Sequence, residues 1–333
     1  MVEEKEKERV CVTGAGGYLA SWVVKFLLSE GYLVHATVRD PCDDEKNGHL
    51  KKLEKASENL QVFKADLLDR QSLCEAFAGC AGVFHIACPV PPGRVPNPEV
   101  ELIEPAVSGT RNVLDACIKA SIKRVVVVSS IGAVMLNPNW PKDKAMDEEC
   151  WSDTDFCNTS ENYYCLGKTI SEFEALEHAK RSGLSMVTLC PSVVIGPMLQ
   201  SKVNASSLLL LALLKDGRES VEDRPRPVVN VRDVAEAILL TYKNSEVEGR
   251  YICTSYVIRS KVLVDMLKSK YPNYNYPKSF IEVEEEVKLS SEKLQKLGWN
   301  YRSLDETVND ALKSYEEKGL LGEDRSTGLK MSA

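Results

Sequence analysis

Tyr164 and Lys168 stand four residues apart, downstream of two adjacent serines, Ser129 and Ser130. On a helix, residues four apart share one face, so an ammonium at Lys168 can lie beneath the phenol of Tyr164. A tyrosine hydroxyl ordinarily titrates near ~10 and shuttles protons poorly at neutral pH. A neighbouring cation favours the phenolate and lets the phenol exchange a proton with a substrate oxygen. That is the chemistry of hydride transfer at a carbonyl. Ser130 would hold the substrate oxygen beside Tyr164. Ser129 competes with it for this role, and capping, which serine favours, would explain either without chemistry. Tyr163 competes with Tyr164, but the Y-x-x-x-K spacing selects Tyr164. Such a pair also occurs on ordinary solvated helices, so the rest of the chain must decide.

A hydride needs a carrier, and the start of the chain supplies a place for one. Val10-Cys11-Val12-Thr13 is followed by Gly14-Ala15-Gly16-Gly17-Tyr18-Leu19-Ala20, a strand, a glycine turn and a helix start in the order a dinucleotide site requires. The glycines let a pyrophosphate approach the helix N-terminus, where unpaired N–H groups and the helix dipole favour negative charge. An NAD-selective site would place a carboxylate at the end of the next strand. This chain has Arg39 there, with Lys46 in the loop beyond. A guanidinium can grip a 2′-phosphate in bidentate fashion, so NADPH is the expected cofactor, although Asp40 could turn inward and favour NAD.

The elements that must position these groups follow from periodicity. Short apolar runs alternate with helical patterns through the first half, the signature of βαβ units and a parallel sheet. Strands are predicted over 9–13, 33–38, 60–64, 82–86, 124–129 and 185–190, a doubly wound Rossmann-type α/β sheet over residues 1–190. Helices are predicted over 18–29, 49–54, 70–77, 100–120 and 163–181, with 40–48 read as a polar loop. Residues 191–323 read mainly as a smaller substrate lobe interleaved with the main sheet. Its predicted helices cover 206–215, 233–243, 262–270 and 304–318, and its strands 227–231 and 250–253. Residues 324–333 are expected to fray, as is the charged start up to Arg9.

Composition narrows the classes. The 333 residues hold 42 Lys+Arg against 49 Asp+Glu, a formal net charge of −7, which argues against a nucleic-acid partner. The start lacks the apolar stretch of a secretory signal. The run from Leu208 to Leu214 is far shorter than the ~20 residues of a membrane span, so a cytoplasmic protein is expected. Eleven cysteines are scattered without C-x-x-C spacing among four histidines, so no metal site is expected and reduced thiols are the default. Cys157 and Cys165 flank the approach to Tyr164, where a reversible disulfide could clamp the catalytic segment. A non-catalytic redox sensor built on that pair is a further reading, against which the Ser130, Tyr164 and Lys168 set argues.

Taken together, the chain resembles the extended short-chain dehydrogenase/reductases, most closely the plant group of cinnamoyl-CoA and dihydroflavonol reductases. The resemblance rests on the glycine turn running to Ser21-Trp22, Thr37-Val38-Arg39, Asp66-Leu67-Leu68-Asp69, Ser129-Ser130-Ile131-Gly132-Ala133-Val134, Asn162-Tyr163-Tyr164-Cys165-Leu166-Gly167-Lys168 and Val231-Arg232-Asp233-Val234-Ala235. It implies Ser130, Tyr164 and Lys168 as the catalytic set and a largely monomeric protein. It also implies Arg39 and Lys46 near the 2′-phosphate, Asp66 and Leu67 around the adenine, Ala87 along the cofactor, and Pro191 to Val194, including Val193, against the nicotinamide. Two departures stand out. Tyr163 and Leu166 replace a tryptophan and a tyrosine of the cinnamoyl-CoA reductase signature. Leu209 and Ala212 stand where that group carries a His-x-x-Lys pair for coenzyme A phosphates, with Arg232 kept and Lys215 one turn on. The resulting expectation is an NADPH-dependent reductase interconverting cinnamyl-type aldehydes and alcohols, with a hydroxycinnamoyl-CoA thioester as the alternative substrate. Pro89 to Pro92, Val134 and the Leu208–Leu214 stretch, including Leu209, are candidate walls for its aromatic ring, and Arg232 a candidate substrate contact.

Overall fold

The computed structural model describes residues 7–90 and 95–322. Most of the charged start, Pro91 and Pro92 as ring walls, and the tail expected to fray fall outside these residues. Six strands, β1 (Arg9–Val12), β2 (Leu33–Val38), β3 (Leu60–Lys64), β4 (Gly82–His85), β5 (Arg124–Val128) and β6 (Met186–Pro191), form a parallel sheet in the order β3-β2-β1-β4-β5-β6. This is the doubly wound Rossmann order, whose direction reverses between β1 and β4, where such sheets bind ligands beyond their carboxyl ends. After β7 (Val193–Ile195), β8 (Ser220–Asp223) and β9 (Pro225–Asn230), the chain returns as β10 (Gly249–Cys253), a seventh strand parallel to β6. A strand from beyond residue 190 thus completes the main sheet. β11 (Tyr256–Arg259) pairs with β9, which pairs with β7, and β12 (Ser279–Glu282) pairs with β8.

The central strands of the main sheet are buried on both faces, and their alternation builds two cores. Val10, Val12, Val126 and Val128 face one, while Cys11, Val125 and Val127 face the other, the period of two that a pleated strand imposes. The helices are α1 (Tyr18–Ser29), α2 (Asp44–Lys51), α3 (Ala56–Asn59), α4 (Arg70–Phe77), α5 (Glu104–Lys119), α6 (Thr154–Thr159), α7 (Tyr163–Ser182), α8 (Ala205–Lys215), α9 (Val231–Lys243), α10 (Ser260–Lys270), α11 (Glu292–Gln295) and α12 (Leu304–Glu317). α4, α5 and α7 pack side by side, as do α1 and α9. Among the described residues no helix is long and apolar enough to cross a membrane.

Two predicted helices differ from those observed. The loop expected over 40–48 is helical from Asp44, because the Asp43 carboxylate accepts the Lys46 N–H at 3.0 Å and Asp44 and Glu45 fill the first turn. Both devices stabilise a helix N-terminus without any apolar stripe. The helix expected over 100–120 begins instead with a π-helical turn, Glu99–Ile103, before α5. Pro105 marks the change, since it lacks the N–H that would continue the ladder.

Candidate active site

Gly14 sits at φ +64°, and a Cβ there would lie 2.9 Å from the Cβ of Ala87. Only glycine fits both conditions without strain. At Gly16 a Cβ would fall 2.1 Å from Asn47 Oδ1, and the Asn47 amide in turn donates to the Asp40 carbonyl at 2.8 Å. α1 starts at Gly17 with no side-chain cap, so its first N–H groups face the turn free for an anion. The Tyr18 side chain is buried in the core and leaves only its backbone N–H for this purpose, as does Leu19, whose side chain also packs against that core. The turn therefore fits a dinucleotide pyrophosphate.

At the end of β2 the Arg39 side chain is exposed and makes no ion pair with a described residue. Lys46 is held by Asp43 at 3.2 Å. Asp40 accepts the Cys42 N–H at 3.0 Å, which turns its carboxylate toward its own loop. Asp66 is exposed and accepts the Leu68 N–H, while Leu67 packs on Gly109. On the far side, Pro191 ends β6, and Val193 and Val194 are half-buried in β7. The Trp22 indole donates to the Pro197 carbonyl at 2.9 Å, tying that segment to α1.

α7 begins at Tyr163 because the Asn162 side chain accepts the Cys165 N–H, and it ends at Gly183, φ +69°. Tyr164 and Lys168 share its inner face. The Ser130 hydroxyl, which accepts the Gly132 N–H at 3.0 Å, lies close enough to Tyr164 to act on its phenol, and a Cβ on Gly132 would make tight contacts of 3.1–3.4 Å with Cys165, Ser130 and Tyr164. Burial raises the Tyr164 phenol above its ordinary value; Lys168 and Ser130 offset only part of this. The expected acidification by lysine is thus outweighed in this pocket, and the phenol is held protonated, as a proton donor requires. Lys168 Nζ donates to the Val128 carbonyl at 3.2 Å. Burial works against its charge, yet Cys88, Tyr164 and Glu172 together raise it above the usual lysine value. Ser129, the rival of Ser130, is committed elsewhere: its hydroxyl donates to Glu172 at 2.7 Å.

Behind Lys168 lies an enclosed space of about 10 Å³, lined by His85, Cys88, Thr110, Ser129, Ser171 and Glu172 among others, the size of a single water. The hydroxyl of Thr13 accepts the Ile86 and Ala87 N–H groups and stands 3.0 Å from His85 Nδ1. It must therefore donate to that nitrogen, leaving His85 Nε2–H to donate to Thr110 at 3.2 Å. Burial, with Lys168 adding, lowers the His85 imidazole to about 3, so it stays neutral and cannot act as an acid. Glu172 and Cys88 were not singled out from sequence. Glu172 had a signal, since it continues Y-x-x-x-K by another four residues.

The candidate substrate contacts fare unevenly. Pro89 is half-buried just beyond β4, and Leu209 is half-buried on α8. Val134 is fully buried with Ile131, Cys150, Cys190 and Ile252, so it is a core residue and offers a ligand no surface. Of the leucine run, Leu210, Leu211, Leu213 and Leu214 are core as well. Arg232 is tied to Asp310 and Glu306 of α12, and Lys215 Nζ donates to the carbonyls of Leu320 and Gly322. Cys157 and Cys165 are buried free thiols, and burial pushes Cys165 up to about 12, with Cys157 adding. Among the described residues no cluster of three or more ionisable side chains could hold a metal.

Comparison with known proteins agrees with this geometry. The profile of the NAD dependent epimerase/dehydratase family matches residues 10–254. Cinnamoyl-CoA reductase 1 of Petunia hybrida is 45% identical over 316 residues, spanning 94% of this chain and 93% of that protein. Vestitone reductase from alfalfa superposes with a TM-score of 0.80 at 31% identity, covering 95% of this chain and 100% of the other. Gre2 of Candida albicans, solved in complex with NADPH, gives a TM-score of 0.80 at 27% identity over 93% and 99%. The protein is an oxidoreductase whose cofactor is NADP(H). The chain belongs to the NAD dependent epimerase/dehydratase family of extended short-chain dehydrogenase/reductases, in the group of cinnamoyl-CoA and dihydroflavonol reductases.

Proposed function

We propose that the protein reduces a hydroxycinnamoyl-CoA thioester to the aldehyde with NADPH. The observation that carries this reading is the convergence of Ser130, Tyr164 and Lys168 beside the glycine turn, in a chain 45% identical to a cinnamoyl-CoA reductase. The reduced nicotinamide supplies the hydride. Ser130 orients the substrate carbonyl oxygen, and Tyr164 gives that oxygen its proton as the carbonyl carbon accepts the hydride. The resulting hemithioacetal collapses to aldehyde and releases the coenzyme A thiol, so each turnover consumes one NADPH and one proton. Lys168 stabilises the phenolate left on Tyr164, which is reprotonated from solvent.

A second reading, reduction of a free aldehyde to its alcohol, is favoured by one observation. The cations nearest to a coenzyme A role, Arg232 and Lys215, are engaged by α12 carboxylates and by C-terminal carbonyls. Assigning Arg39 and Lys46 to the 2′-phosphate and Ser130, Tyr164 and Lys168 to the chemistry belongs to both readings. The test is NADPH consumption with feruloyl-CoA and coniferaldehyde offered separately. A higher kcat/KM for the thioester supports the first reading, and a higher one for the aldehyde overturns it in favour of the second. Tyr164→Phe should abolish turnover of either substrate while NADPH still binds; retained activity would remove Tyr164 from the mechanism.

A further inference from the structure

Three successive residues at the end of β5 each engage a different turn of α7. The Val128 carbonyl accepts from Lys168, the Ser129 hydroxyl donates to Glu172, and Ser130 lies beside Tyr164 across Gly132. Glu172 is the member of this ladder that no part of the mechanism uses. Its side chain is wholly buried, 0% exposed, and every donor within reach converges on it. Arg250 donates through Nε at 2.9 Å and Nη2 at 3.3 Å, Thr188 at 2.6 Å, Ser129 at 2.7 Å and the Cys190 thiol at 3.2 Å. Arg250 is itself fixed by the carbonyls of Ala133, Glu148 and Cys150 and by the Trp151 ring, 3.5 Å from its guanidinium carbon. Stability alone is a weak reason for such a pair, because a buried ion pair often does no better than apolar residues of similar size.

We propose that Glu172 is a positioning residue for the reaction: its carboxylate keeps Lys168 charged and, through Ser129, holds Ser130 against Tyr164. The inference rests on hydride transfer at Tyr164 and Lys168. Glu172 lies one turn beyond Lys168 on the same face, and both line the water-sized space behind the site. The other ionisable groups around Lys168 are Tyr164 on its own helix, neutral His85 and Cys88 at the end of β4, and Cys190 on β6 and Arg250 on β10 beyond Glu172. Glu172 is the one carboxylate among those acting on Lys168.

The experiment is the pH profile of kcat, with saturating NADPH, on whichever substrate the wild type turns over. Glu172→Gln should move the alkaline fall of kcat to lower pH, roughly a threefold loss at a fixed pH on that limb, because Cys88 and Tyr164 act on Lys168 more strongly than Glu172 does and Arg250 is left unopposed. Glu172→Asp, which keeps the charge, should restore the limb. Ser129→Ala should lower kcat without moving the limb, since both charges remain. A Glu172→Gln profile parallel to the wild type's, with only a lower melting temperature, would make the role structural and overturn the proposal. Should that variant not fold, Glu172→Gln combined with Arg250→Met removes both charges; the limb should still move to lower pH, by less than in the single variant because Arg250 opposed Glu172, and an unmoved limb would overturn the proposal. Absence of wild-type turnover on both substrates would sink the functional reading instead, a result distinct from any variant's profile.

Discussion

Replacing Arg39 by alanine tests the proposed contact of this side chain with the cofactor. Arg39 is exposed and pairs with no described carboxylate, so the substitution strands no partner and should change stability by less than ~0.5 kcal/mol. A charge-assisted hydrogen bond to a phosphate contributes about 1.5–3 kcal/mol. At 1.4 kcal/mol per tenfold, that is a loss of roughly 10- to 150-fold in kcat/KM for NADPH. NADH carries no 2′-phosphate and should be unaffected, so the NADPH-to-NADH preference should collapse by the same factor. Lys46 provides the contrast. It already spends its charge on Asp43 at 3.2 Å and is half exposed, so Lys46→Ala should cost less than about fivefold. Steady-state kinetics with both cofactors, beside thermal unfolding of each variant, reads all of these quantities. An unchanged preference in Arg39→Ala, or an equal fall with NADH, would refute the assignment of this side chain to the phosphate.

Three other outcomes follow from the geometry. Gly14→Ala should lose about 1–3 kcal/mol of stability and weaken NADPH binding at least about tenfold, because its φ of +64° and the Ala87 contact both oppose a Cβ; an unchanged dissociation constant in a fluorescence titration would contradict this. His85 is neutral in the fold, at about 3, whereas an unfolded histidine takes up its proton below ~6.5. Its contribution to stability is therefore complete above ~6.5 and is lost as pH falls toward 3, at up to ~1.4 kcal/mol per pH unit. Urea unfolding at pH 7, 6 and 5 should show this slope, shallower in His85→Asn, with His35 and His49, which burial also lowers, supplying the remainder; identical slopes would exclude His85. Trp22→Phe should cost about 0.5–1.5 kcal/mol through the lost bond to Pro197, read by thermal unfolding, and no loss would mean that the segment is held by other contacts.

The glycine turn and the Tyr164–Lys168 pair were legible in the sequence because each is local, a few residues whose spacing dictates their geometry. Five of the six leading strands were legible because strands buried on both faces read as continuous apolar runs, whereas the edge strand β3 is only half-buried and carries polar residues at Gln61 and Lys64. α2 was not, since its stability comes from Asp43 and a charged first turn, with little apolar periodicity. Val134 looked like a pocket wall beside Ser130, but it turns into a small core with Cys150 and Ile252, a long-range packing that no spacing reveals. The partner of Glu172 lies 78 residues away on β10, and only the return of that strand to the sheet joins them. Arg232 keeps its place in a motif, yet its carboxylate partners arrive from α12 near the end of the described chain.

The stacking of β5 against α7 has a consequence for how such a protein can diversify. The side chains proposed to react are fastened to a strand end or a buried helix face, whereas Pro89 and Leu209, two of the proposed contacts with substrate, lie half-buried on a connection and on α8. Mutations that reshape those margins can exchange one carbonyl compound for another while the proton donor and its cation keep their places. Selection for a new metabolite therefore has an inexpensive route, and kinship in the framework says more about the reaction performed than about the molecule it is performed on.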